Sequence, residues 1–119
     1  MKHSVEQVAA TVNYIIRIFR AKASIVLSWG LDRKSYLPME DEDGNYGLSF
    51  TVNGFKHKGT VQVLFDDGAD TFVVKLIGAN GEVLKKVDDV YLDNLVEVID
   101  HEVEHVDNYR ERVFQECGI

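Results

Sequence analysis

The chain is poor in cysteine, proline, long apolar runs and positive charge. Its one thiol, Cys117, excludes a disulfide framework and points to a reducing, cytoplasmic setting. No stretch approaches the roughly 18 consecutive apolar residues of a membrane-spanning helix, so no membrane association is expected. The opening segment MKHSVEQVAATVNYIIRIF is periodic in its apolar residues rather than continuous, and reads as a helix, not a signal peptide. With 13 Lys/Arg against 20 Asp/Glu, the net charge is −7. That balance argues against direct nucleic-acid binding and favours a basic protein partner.

The charge is unevenly placed. Residues 1–36 hold six Lys/Arg and two acids, a net of +4; residues 37–119 hold seven and eighteen, a net of −11. At 119 residues the chain is expected to form a single domain, residues 1–119, able to bury a core without staples.

Apolar spacing predicts a first helix over about residues 5–20. Ser4 and Gln7 fit a capping box, and Val5, Val8, Val12, Ile15, Ile16 and Phe19 make one apolar face. Ala10, Tyr14, Ile18 and Ala21 form a second strip, with Tyr14 and Ile18 as candidates for self-association into a homodimer. Asp43-Gly44, Asn53-Gly54, Asp67-Gly68 and Asn80-Gly81 then recur at hairpin spacing. Alternation around them predicts five strands, near 24–31, 46–52, 56–65, 71–77 and 82–87, in an antiparallel meander. Residues 32–45, with the only proline (Pro38) and the run Glu40-Asp41-Glu42-Asp43, read as an exposed loop. The face opposite the predicted core face mixes Thr51, Thr60, Gln62 and Lys75 with Val26, Leu64, Val73, Ile77 and Leu84, which implies partial cover.

A long C-terminal helix is predicted from about 90–94 to 116, packed on the sheet through Leu92, Leu95, Val96, Ile99, Val103, Val106 and Val113. Asp88, Asp89, Asp93 or Asn94 would cap it. The expected class is therefore α+β: an N-terminal helix, a five-stranded antiparallel meander and the long helix. A quarter turn from its apolar stripe lie Asp93, Glu97, Asp100, Glu104, Asp107 and Glu111, spaced 4-3-4-3-4. On a helix these six stack into one ridge, where like charges repel by about 0.2–0.5 kcal/mol per pair. Such a ridge is either a solvated face or a docking strip for something positive.

His101-Glu102-Val103-Glu104-His105 matches H-E-x-x-H, in which two His one helical turn apart hold zinc and the Glu polarises the bound water. A third ligand is required, and the spacing supplies none. Asn108 and Glu111 stand where the extended metzincin pattern has Gly and His, and an upstream ligand, for example His57 or the acidic loop, is not indicated by the spacing. Residues 39–44 fail the calcium-loop pattern at Met39 and Phe50. Phe55-Lys56-His57-Lys58 lies beside aromatics assigned to the core, and Gly78–Gly81 is a hairpin turn rather than a phosphate loop. The leading expectation is a non-enzymatic interaction module without a cofactor, presenting the acidic ridge to a basic partner, with Tyr14 and Ile18 serving self-association. The alternative is a zinc-dependent hydrolase with Glu102 catalytic and His101 and His105 as ligands.

Overall fold

The computed structural model describes residues 4–54 and 56–103. Ser4 starts the first helix, α1 (Val5–Ala21), by the expected capping box: its hydroxyl accepts the Gln7 N–H at 3.1 Å, and its own N–H donates to Gln7 Oε1 at 3.1 Å. Helix α2 (Ala23–Leu27) follows after Lys22. Five strands come next: β1 (Asp32–Glu40), β2 (Tyr46–Asn53), β3 (Lys58–Asp66), β4 (Thr71–Ile77) and β5 (Val83–Val90). They pair in sequence order, each antiparallel to the next. A single 3-10 turn (Leu92–Asn94) leads into α3 (Leu95–Val103). The α+β class and the antiparallel meander are as the sequence predicts. The remainder of the predicted long helix, from residue 104 onward, lies outside the described residues.

Two expectations are corrected. Residues 24–31 are not a strand: Ala23–Leu27 are helical and Trp29 sits in the turn that follows. Residues 32–40 are not a loop but the edge strand β1. In the first case Ile25, Val26 and Trp29 fit a short helix as well as a strand, an ambiguity inherent in brief apolar runs. In the second, Pro38 suggested a loop, yet an edge strand is where a sheet tolerates proline, and among the described residues one side of the β1 backbone has no ladder partner. Gly30 makes the junction feasible. Its φ is +63°, and a Cβ there would stand 2.9 Å from the Asn53 carbonyl oxygen.

The four dipeptide turns fall where expected, between successive strands. Left-handed backbone occurs at Gly44 and Gly81, but in the β3–β4 turn it falls on Asp70 (φ 57°) rather than Gly68. Asp89 (φ 56°) marks a bulge in β5: Phe72 pairs with Val90, while Val74 pairs with Val87.

One face of the sheet carries Leu48, Phe50, Val61, Val63, Val74 and Leu76 against Val8, Val12, Ile15 and Phe19 of α1. Leu95, Val96, Ile99 and Val103 of α3 join the same cluster. Phe19 meets Phe50 edge-on, with centroids 5.5 Å apart and planes at 86°. On the other face the paired Leu64 and Val73 are also buried. Beside them Lys75 reaches Asp41 at 2.9 Å, and Asp41 further accepts the N–H groups of Asp43 and Asn45. Asp41 therefore organises the β1–β2 turn that the sequence shows only as an acidic run.

Phe50→Ala removes a fully buried ring at the α1–sheet contact and should cost about 3–5 kcal/mol. Leu37→Ala, on the edge strand and 62% exposed, should stay within about 0.5 kcal/mol. Urea midpoints of the two variants check this.

Candidate functional site

Every turn of α3 is tied to another element. Lys22, at the α1–α2 junction, donates to Glu97. The Trp29 indole N–H donates to Asp100 Oδ1 at 2.9 Å. Lys85 of β5 reaches Glu102 Oε1 at 2.8 Å. At Val103, the last described residue of α3, the carbonyl accepts the Lys56 and His57 N–H groups at 2.8 and 3.2 Å, and Lys56 Nζ donates to the His101 carbonyl at 2.7 Å.

These contacts distribute the predicted ridge. Glu97 and Asp100 are engaged inside the fold, Asp93 is exposed, and Glu104, Asp107 and Glu111 lie outside the described residues. Of the H-E-x-x-H residues, His101 is exposed, Glu102 is buried and held by Lys85, and His105 is outside the described residues. His57 is buried, and its Nε2 donates to the Thr60 carbonyl at 3.0 Å. Among the described residues no group of three or more His, Cys, Asp or Glu is placed to hold a metal ion.

A concavity lies elsewhere, between α1 and the corner where β5 turns into α3. The Asp89 bulge sets that corner: it swings Val90 into the core opposite Phe72 and carries Tyr91, Leu92 and Asp93 past the sheet end. With Ala10, Thr11 and Tyr14 of α1, and Phe65, Asp70 and Phe72 from the β3–β4 hairpin, they line a groove of about 700 Å³. Tyr14 is 41% exposed, Tyr91 57% and Leu92 42%, so large apolar surface faces water here. Asp70 and Asp93 stand on the lining and have no hydrogen-bond or ion-pair partner among the described residues. Aromatic walls with two unpaired carboxylates suit a ligand that is apolar and positively charged.

Two of the residues singled out in the sequence, Tyr14 and Asp93, thus meet in one groove, although they are far apart in the chain. Ile18, on the same strip of α1, is partly buried against the core and does not line the groove. Sequence reasoning missed Asp70, Tyr91 and Leu92. Leu92 looked like part of a core stripe, and only the bulge at Asp89, which has no clear sequence mark, turns it outward. Comparison with protein-family models, with curated proteins and with solved structures returns no match. Among the described residues no helix is long and apolar enough to cross a membrane.

Two outcomes test the ties of α3. Trp29→Phe keeps a ring in the core but leaves the half-buried Asp100 carboxylate without its donor, and should cost about 1–3 kcal/mol by denaturant melt. The Lys22 hydrogen bond holds the Glu97 carboxyl below its ordinary value of 4.5. A depressed folded-state pKa adds stability that is full above the unfolded value and is lost as pH falls through the folded one. Both groups are well exposed, so the pair is worth only about 0.2–1 kcal/mol. Lys22→Ala should remove that increment above pH ~5, and the difference from wild type should shrink on acidification below pH ~4, as read by melts across pH.

Proposed function

We propose that this protein is a non-enzymatic interaction module that captures a basic segment of a partner protein. The reading rests on one observation: two carboxylates without partners among the described residues, Asp70 and Asp93, flank a groove walled by Tyr14, Phe65, Phe72 and Tyr91. An exposed apolar groove of this kind is characteristic of binding surfaces rather than of ordinary solvated surface. The segment that fits carries a lysine or arginine next to a bulky apolar side chain. The apolar group fills the groove, and the cation meets Asp70 or Asp93 and the ring faces. Asp93, the first acid of the ridge, then acts as one edge of the groove. Glu97 and Asp100 contribute through the position of α3, because their carboxylates already hold Lys22 and Trp29.

The zinc-hydrolase alternative draws less support. Its catalytic carboxylate, Glu102, is occupied by Lys85, and an ammonium at 2.8 Å opposes its use as a general base.

A fluorescent synthetic peptide of alternating lysine and leucine, titrated by anisotropy at low salt, serves as probe. Asp70→Asn with Asp93→Asn should weaken binding about tenfold or more, near 1.4 kcal/mol. Tyr14→Ala should weaken it by a similar factor, and an acidic counterpart peptide should not bind. Equal affinity in wild type and both variants would overturn the reading. So would sedimentation as a dimer that Tyr14→Ala dissociates, since a second copy would then cover the groove.

A further inference from the structure

On the other flank of α1 a smaller cavity of about 190 Å³ lies among α1, α2 and β1. Its walls are largely apolar, with Ile16, Phe19, Val26 and Leu31 among them, and its lining residues with polar groups are Arg20, Arg33 and Tyr36. We propose that this cavity binds a small organic carboxylate, clamped by the Arg20 and Arg33 guanidinium groups over an apolar floor.

The first support is charge pairing. The chain carries 20 acids, and the ion pairs among its described residues include Lys22–Glu97, Lys75–Asp41, Lys85–Glu102 and Lys86–Asp88. The Arg20 and Arg33 guanidinium groups have neither an ion pair nor a hydrogen bond among the described residues. Two guanidinium groups with no carboxylate partner among the described residues, both on the lining of one cavity, offer a planar anion site. Guanidinium groups match carboxylates in bidentate geometry and shed water more readily than ammonium.

The second support is position. Arg33 and Tyr36 lie in the irregular stretch of β1 between the Asp32 and Leu37 pairings, so the ladder does not dictate where they point. Burial pushes the Tyr36 hydroxyl above its ordinary pKa, while the positive charges of Arg33 and then Arg20 pull the other way. Both guanidinium groups are therefore within electrostatic reach of that hydroxyl, which stays protonated at neutral pH and available as a donor.

Size and wall chemistry narrow the ligand. The cavity is small, which favours a compact ligand over a nucleotide or a long acyl chain. The apolar lining favours an anion with a hydrocarbon body over inorganic phosphate. A short aliphatic or single-ring monocarboxylate meets both conditions. This site is separate from the acid-rimmed groove and does not depend on the interaction reading.

Benzoate is the probe, titrated into the full chain at low salt and followed by NMR shifts of the Phe19, Trp29 and Tyr36 rings. Trp29 reports because its ring lies 5.6 Å from that of Phe19, edge to face. Saturable shifts are expected, with a Kd of about 1 mM or tighter. Arg20→Gln with Arg33→Gln should weaken binding at least tenfold, whereas Arg17→Gln should leave it unchanged. Methyl benzoate, which keeps the ring and loses the charge, should bind at least tenfold more weakly. Undiminished benzoate binding in the double variant, methyl benzoate binding as well as benzoate, or inorganic phosphate binding as tightly at this site would each overturn the proposal. So would the absence of saturable shifts in the wild-type protein.

Discussion

Trp29 is fully buried where three parts of the chain meet. Its indole N–H bonds Asp100 of α3, its ring stands perpendicular to that of Phe19 of α1, and its carbonyl accepts the Asn53 N–H at the end of β2. A buried indole N–H without an acceptor carries a desolvation penalty, so the side chain is held in place by the carboxylate as well as by packing. The tight turn at Gly30 then returns the chain beside β2 as edge strand β1. The relative placement of α1, α3 and the sheet, and therefore of both concavities, follows from this joint.

The same joint explains how an acidic helix is tolerated. Like charges one turn apart on a helix repel, and a solvated ridge would keep that cost. Here Glu97 is offset by Lys22 and Asp100 by the indole N–H, while Glu102, outside the ridge, is offset by Lys85. Each contact links α3 to a different neighbour. The acids of this segment therefore act as attachment points for the helix, and Asp93 alone among the described ridge residues keeps its carboxylate unengaged.

Much of the fold was legible where local chemistry and burial agree. The Ser4–Gln7 capping box, the 3.6-residue periodicity of α1 and the alternation in β2, β3 and β4 all point one way. Legibility failed between residues 24 and 40, where they conflict. Ile25, Leu27 and Trp29 alternate like a strand, but Leu27 is 67% exposed while Val26 and Trp29 are buried, the spacing of a helical turn. β1 has one unpaired edge and an irregular register, so it shows no clean alternation, and Pro38 argued against it. The candidate site was half legible. Tyr14 was marked by its place on a second apolar strip, and Asp93 by the spacing of the acids. Asp70, Tyr91 and Leu92 join them only through the β3–β4 turn and the Asp89 bulge, and a left-handed aspartate is not predictable from one sequence.

The uneven charge along the chain becomes a spatial arrangement about α1. Val8, Val12, Ile15 and Phe19 occupy the stripe of α1 that faces the sheet. With about 3.6 residues per turn, Tyr14 falls on one side of that stripe and Arg20 on the other. The groove with Asp70 and Asp93 and the cavity with Arg20 and Arg33 therefore open on opposite flanks, with the packed core between them. Opposite charges separated in this way are not brought into contact by side-chain motion, and at physiological salt their mutual attraction is largely screened beyond about 8 Å. Each flank keeps its own sign close to its surface. An approaching charged group is consequently oriented by the nearer flank rather than by the net charge, so an overall excess of acid is compatible with a local site for an anion.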